Sequence, residues 1–545
     1  MAPTSLLVLV ALALAVQSLP QSLHDEGIRG DAFTLAAEED STVLSRRSLP
    51  AAIENSMSMG TLPVPHGKRR EPSHVQDSER PAQDGPQDVH VENIFGREFP
   101  AVDSLPGTLT LPVIHAASPG IGKRTLEVQL ENRSDVAYYA QLSIGTPPQK
   151  VFAQLDTGSF ELWVNPNCSG LPGTDRRFCL AIGRYDPANS STAVVSEVGT
   201  SLRYGIGSAN ITYVLDDISL GGGGATTMKR VQFGVAKTSE NQFAGILGLG
   251  YGRGLNTGYD NFVDQLALQK VTSTKAFSVA LGSKDEGQGI VVFGGVDTSK
   301  FAGRLAPLPI IPRDKSPDGV ARYWVTMKGM RHLAADGTAT DLLPQPASSG
   351  SNNNNKQGSM SVFLDTGATL TLLPPAVAGG LAAAMGSKTM DLNGFYIVDC
   401  ALAGRNGSVD FAFEGVTVRV PYRELIREVS ARPPMCYLGV MPSETFALLG
   451  DTFLRSAYVV FDLDANMTYM APYTNCGSTV RTIVPNSDLK SLVGECSKGP
   501  SGVNGGANEG ERPGGEKPSG GVGLRRDTAW MYCCVVALMS GLFAF

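Results

Sequence analysis

Two segments of the chain, AQLDTGSFELWV and VFLDTGATLTLL, carry the same Asp-Thr-Gly after a short apolar run, at Asp156 and Asp365. Each is followed at a comparable distance by a hydrophobic-hydrophobic-Gly segment, GILGLG around Gly248 and ALLGDT around Gly450. A lone Asp-Thr-Gly carries little information in 545 residues. Two copies, each with its partner segment, describe a duplicated unit and restrict the fold to two related halves that each present one aspartate. The copies differ at the next position, where Ser159 becomes Ala368.

The surrounding sequence predicts an all-β class. VAYYAQLSIG, KVFAQL, NITYVLDDISL, GIVVFGG, VDFAFEGVTVRV and AYVVFDLD are enriched in β-branched and aromatic residues with partial alternation, and Gly, Pro and Asn punctuate them. Helical patterns are few; Asn261–Gln269 and Pro375–Met385 are the best. SSGSNNNNKQG (Ser348–Gly358) reads as a surface loop, since added loop length costs little closure entropy.

The ends read differently. SLLVLVALALAV (Ser5–Val16) is too short to span a bilayer and predicts a signal peptide over 1–18. Residues 19–124 are Pro-rich and net acidic, lack cysteine and show weak periodicity, and are expected to form a propeptide. Cleavage is expected after Arg124, in the exposed stretch SPGIGKR; Arg46-Arg47 and Lys68-Arg69-Arg70 are further basic runs. Sequons stand at Asn132, Asn167, Asn189, Asn210, Asn406 and Asn466, all beyond that site. The expected lobes are 125–304 and 305–485, followed by a flexible Gly/Pro-rich stalk over 486–521. Residues 522–545 end in AWMYCCVVALMSGLFAF, the pattern of a removed GPI-attachment signal; Ser519 is the expected attachment residue and Gly514 the fallback, with a tail-end membrane helix as the alternative. Cys533 and Cys534 would leave with that tail.

Charge and histidine usage narrow the chemistry. Net charge is −7 with scattered Lys and Arg, which gives no nucleic-acid signal. His24, His66, His74, His90 and His115 precede the expected cleavage site, leaving His332, read as a surface residue beside Arg331. A His-rich zinc site is then excluded, a Ser-His or Cys-His engine would need His332 itself, and the chemistry is expected to use carboxylates. Two aspartates meeting face to face cannot both ionise, so they share one proton. One is then a base for a bound water and the other an acid for a substrate carbonyl. No metal or other cofactor is needed. Gly158 and Gly367 allow close backbone approach, and the Thr157 and Thr366 hydroxyls can tie each loop to the other. Ser159 can donate to Asp156, whereas Ala368 removes a donor to Asp365; Thr369 stands beside it as a substitute.

These residues resemble a pepsin-type (family A1) aspartic endopeptidase over roughly 136–475. LDTGSFELWV resembles the first catalytic segment, with Asp156 catalytic and Trp163 at the matching tryptophan position; Asp365 matches the second catalytic position. RYGIGS resembles the flap hairpin, placing Tyr204 over the cleft with Gly205 beside it, and VFGGVDTSKFAG with RYWVTMKGM resembles the crossover between lobes. The resemblance implies a bilobal fold of two β-barrel-like lobes with the cleft between them. Secreted and anchored fungal members of the candidapepsin and yapsin kind are the most similar in layout. They imply bridges Cys168–Cys179 and Cys400–Cys436, leaving Cys476 and Cys496 to pair with each other or stay free. They also imply a Kex2-like processing protease, protein or peptide substrates, a GPI link to the membrane or cell wall outside the cell, and a monomer working at acidic to weakly acidic pH. CSGLPGTDRRFC is short and net basic, so the yapsin preference for basic substrate residues does not carry over. Two other readings are a catalytically silent peptide-binding relative and a carbohydrate-active enzyme with paired acids; intact aspartates and the flap pattern argue against them.

Overall fold

The computed structural model describes residues 105–115, 137–171, 173–205, 207–220, 226–286, 288–343, 358–429 and 434–496. The expected signal peptide, most of the propeptide, Asn132, the loop 348–357 and the whole attachment region including Ser519 lie outside them.

The described residues form an all-β, bilobal structure. A 13-stranded sheet runs from Ala306–Pro309 at one edge to Val194–Arg203 at the other, and an extra pairing of Tyr138–Ile144 with Ser208–Leu220 closes the first lobe into a barrel. The middle of this sheet mixes chain from both halves: Ala457–Asp462 and Met467–Pro472 lie beside Ala276–Ala280 and Gln288–Phe293. The second lobe adds a 5-stranded, a 4-stranded and a 3-stranded sheet.

The duplication is visible in the register. In the first half Gln149–Asp156 pairs in parallel with Gly245–Gly248, which sets Asp156 opposite Gly248. In the second half Met360–Leu364 pairs in parallel with Leu448–Leu449, and the Asp365 N–H donates to the Leu449 carbonyl at 3.1 Å. The hydrophobic-hydrophobic-Gly segments are therefore the parallel neighbours of the two aspartate strands. Both helical readings hold in place: Phe262–Leu268 is capped by Asn261, and Pro375–Ala384 starts on proline. A further helix, Gly173–Ala181, fills the loop closed by Cys168–Cys179.

Three local readings change. Leu109–His115, placed above in a stretch of weak periodicity, is a strand inside the sheet, between Gln288–Phe293 and Tyr138–Ile144. Its Leu109, Leu111 and Val113 are buried in the main core, so a period of two was there to be read. His332 is not a surface residue. It is 2 % exposed on Gly329–Leu333, where alternation turns Arg331 outward and His332 inward. Its Nε2 meets the Tyr422 hydroxyl at 2.5 Å, and burial lowers its pKa. Residues 486–496, read as stalk, are folded: Leu489 is buried, and the Gly494 and Glu495 N–H groups donate to Gly303 and Thr298 carbonyls.

That last stretch belongs to a clamp. Val480–Thr482 pairs with Gly295–Asp297, Ile483 and Leu489 pack on Phe301 and Tyr458, and Cys476–Cys496 closes the segment. Cys400 and Cys436 are joined in the second lobe. Replacing Cys476 and Cys496 together by Ser opens a loop of sequence separation 20 and costs about 3 kcal/mol of stability. Urea unfolding of the two forms checks this: the midpoint drops in the variant, and an unchanged midpoint would show that the hydrogen bonds alone hold the clamp.

Candidate active site

Asp156 ends its strand, and Asp365 directly follows the equivalent one, so both loops leave the sheets toward the junction of the two halves. Inside each loop the geometry is the same. The Gly158 N–H donates to Asp156 Oδ1 at 2.8 Å, and the Gly367 N–H donates to Asp365 Oδ1 at 2.8 Å. Each carboxylate is thereby aimed by its own loop.

The loops are tied to each other by a crossed set of bonds. The Thr157 N–H donates to Thr366 Oγ1 at 3.1 Å, and the Thr366 N–H donates to Thr157 Oγ1 at 3.0 Å. Thr157 Oγ1 in turn donates to the Leu364 carbonyl at 2.8 Å, and Thr366 Oγ1 to the Leu155 carbonyl at 3.0 Å. Gln154 Nε2 adds a bond to the Gly367 carbonyl at 2.9 Å. Both threonines are buried, so these bonds are shielded from competing water.

This grip sets each loop against the carboxyl group of the other, so that the two aspartates act on each other. The closeness shows at the glycines. A Cβ on Gly158 would lie 2.5 Å from Asp365 Oδ1, and one on Gly367 would lie 2.3 Å from Asp156 Oδ1. Only glycine fits at either position. Asp365 is held well above the usual carboxylate range, first by burial and then by the Asp156 charge; the Gly367 N–H and the Arg322 charge pull the other way.

The flap nominated in the sequence is the hairpin of Val194–Arg203 and Ser208–Leu220, with Arg203 paired to Ser208. Tyr204 and Gly205 stand at its turn, where the Tyr204 N–H donates to the Gly207 carbonyl at 3.1 Å. Trp163 is fully buried and donates from Nε1 to the Tyr204 hydroxyl at 2.7 Å, with the rings stacked at 6.4 Å. Burial, and next the Asp156 charge, keep the Tyr204 phenol protonated. In the second loop the Thr369 carbonyl accepts the Thr452 N–H at 3.2 Å, and Ala368 packs beside Trp324 and Phe363.

One expected contact is not made. Ser159 Oγ is buried without a hydrogen-bond partner, because Asp156 Oδ1 takes the Gly158 N–H and the carboxyl faces Asp365. Two nearby groups were not singled out in the sequence. Glu161 accepts from the Tyr213 hydroxyl at 3.0 Å, and burial raises its carboxyl. Arg322 reaches the Gly158 carbonyl from the second half of the chain. The first was legible as the one acid inside SFELWV, and the second as a lone cation ahead of Tyr323 and Trp324.

Comparison with known proteins places the architecture. The family model for eukaryotic aspartyl protease matches residues 137–473. A protein of Aspergillus oryzae called "Probable aspartic-type endopeptidase opsB" is 31% identical over 412 residues, covering 71% of this chain and 79% of its own. Candidapepsin-3 of Candida albicans is 34% identical over 365 residues, covering 64% of this chain and 83% of its own. Among solved structures, the aspartic proteinase from Irpex lacteus has a similar fold, with TM-score 0.50 and 21% identity over 67% of this chain and 98% of its own. The chain belongs to the eukaryotic aspartyl protease family. It is an aspartic-type endopeptidase with a pepsin-like fold, and the clamp over 474–496 lies beyond the matched region.

The geometry makes a direct demand on Gly158. Replacing it by Ala places a methyl against Asp365 and forces the loops apart, and the expected loss of kcat is about 10²-fold. Thermal unfolding of the same variant separates lost alignment from lost folding. A Gly158→Ala protein with parental kcat would contradict the packing described here.

Proposed function

We propose that this protein is a secreted, cell-surface-anchored aspartic endopeptidase in which Asp156 and Asp365 share one proton and activate a water against a peptide carbonyl at acidic to weakly acidic pH. The observation that carries the reading is the close approach of each loop to the other's carboxyl group across the crossed Thr157–Thr366 bonds.

The chemistry follows from one proton on two carboxyl groups. Burial and the neighbouring Asp156 charge favour Asp365 as its holder. Asp156 is then the base that takes a proton from the water, whose oxygen attacks the carbonyl carbon. The Asp365 proton passes to the carbonyl oxygen, giving a tetrahedral gem-diol. Asp156 then gives its proton to the amide nitrogen while Asp365 takes one from a gem-diol hydroxyl, so the C–N bond breaks to a carboxylic acid and an amine and the pair again holds one proton. Tyr204, held by Trp163, stands over the site as a phenol donor.

The setting is supported by several features. Three disulfides suit an oxidising compartment. Asn167, Asn189, Asn210, Asn406 and Asn466 are exposed, as glycan acceptors must be. One Candida albicans relative is named Secreted aspartic protease 3. The N-terminal apolar run, the Lys123-Arg124 pair as the cut of a Kex2-like protease, and a GPI link at Ser519 complete the proposal. Cleavage after Arg124 would leave Leu109–His115 held without a covalent link to the mature chain, by its two neighbouring strands and its packing in the core.

The test is a pH–rate profile of peptide hydrolysis for the parent, Asp156→Asn and Ala368→Thr. The parent follows a bell below neutrality: the base is lost as pH falls and the shared proton as pH rises. Asp156→Asn is inactive. Ala368→Thr adds a donor to ionised Asp365, lowers its pKa and moves the bell to lower pH. Folded, processed parent without peptidase activity would overturn the reading.

A further inference from the structure

A cation stands beside the aspartate pair that the mechanism above does not use. Arg322 directly precedes Tyr323 and the strand Trp324–Met327, at the start of the second lobe. Its Nη1 donates to the carbonyl of Gly158, in the loop of the first lobe. Its Nε donates to Asp318 Oδ2 at 2.7 Å. Asp318 is itself fixed, since its Oδ1 accepts Trp324 Nε1 at 3.1 Å and the Val320 N–H at 3.1 Å.

Two rings complete the enclosure. The guanidinium carbon lies 5.2 Å from the centroid of Phe160 and 5.3 Å from that of Phe363. Phe160 follows the first Asp-Thr-Gly, and Phe363 lies two residues before Asp365. The side chain is 23% exposed, so little of the charge is spent on bulk water. One planar group therefore touches both catalytic segments and is held by a carboxylate that is already anchored.

Neither aspartate is served by the side chain that follows its loop glycine: the Ser159 hydroxyl makes no bond to Asp156, and Ala368 has no donor to offer Asp365. The ionisable groups around the pair are Arg322 and its partner Asp318, Tyr204 over Asp156, and Glu161, which is bonded to Tyr213. Of these, Arg322 supplies the positive charge that reaches Asp365, opposing burial and Asp156.

We propose that Arg322 is a positioning residue for the aspartate pair: it pins the Gly158 carbonyl of the first loop to the second lobe and keeps a fixed positive charge beside Asp365, so that the enzyme works at lower pH than two buried carboxyl groups alone would allow. The inference rests on the reading of Asp156 and Asp365 as the catalytic pair.

The experiment is the pH dependence of kcat and kcat/KM for Arg322→Gln and Arg322→Lys, in the full chain produced with its propeptide, beside Asp156→Asn. In Arg322→Gln the positive charge is gone and ionising the pair is harder, so both limbs of the bell move to higher pH, by about one unit. In Arg322→Lys the charge stays and the limbs stay, but kcat falls because one ammonium cannot reproduce the fork onto both Asp318 and Gly158. Equal losses in both variants with unmoved limbs would assign Arg322 a purely structural role and overturn the proposal. If Arg322→Gln does not fold, Asp318→Asn supplies the opposite sign: it leaves the arginine charge less compensated and moves both limbs to lower pH, and unmoved limbs there would also overturn it. Parental activity in Asp156→Asn is a different failure, that of the dyad itself.

Discussion

Thr157 and Thr366 exchange backbone-to-hydroxyl hydrogen bonds at the junction of the two lobes, and the site depends on that exchange. Each hydroxyl accepts from the opposite loop and donates to a strand carbonyl of the opposite half. Neither loop is thus satisfied within its own lobe. Buried polar groups left unpaired cost about 1–3 kcal/mol each, so separation of the loops is opposed by several unpaired groups at once. The grip also explains why glycine follows each threonine: the loops are drawn so close that each glycine faces the other lobe's carboxylate.

Bringing two carboxyl groups together in a buried place is unfavourable for charge, and this is the source of the chemistry. Burial and mutual repulsion raise Asp365, while the Gly367 N–H and Arg322 limit the rise. One proton on two equivalent oxygen pairs gives an acid and a base without histidine or metal. Tyr204 stands at the turn of its hairpin with its hydroxyl fixed by the Trp163 indole. The fold supplies alignment, and the electrostatic conflict it creates supplies reactivity.

Much of this was legible because it was repeated. Asp156 and Asp365 stood out as copies, and the Gly248 and Gly450 segments proved to be their parallel strand partners. What escaped was set by contacts between segments distant in sequence. Arg322 looks like an isolated cation until its strand brings it to Gly158 and Phe160. His332 looked exposed because it adjoins a charged residue, yet alternation along its strand buries it against Tyr422. Residues 486–496 have the composition of a linker, and their order comes from the Cys476–Cys496 bridge and backbone bonds to 298 and 303. Leu109–His115 was masked by its acidic, Pro-rich surroundings, although its own alternation is that of a strand. The Ser159 contact failed for a local reason, since the Gly158 N–H takes Asp156 Oδ1 and the carboxyl lies against the opposite loop.

The account stands most directly on the grip acting as one unit, and a double-mutant cycle of Thr157→Val and Thr366→Val measures that. Unfolding free energy and kcat/KM are taken for the parent, both single variants and the double. The account predicts that either single change releases both loops, so that the double variant is little worse than the singles and the coupling is about 1–3 kcal/mol. Losses that simply add, to within about 0.5 kcal/mol, would mean that each threonine serves its own lobe and that the aspartate pair is held together by something else.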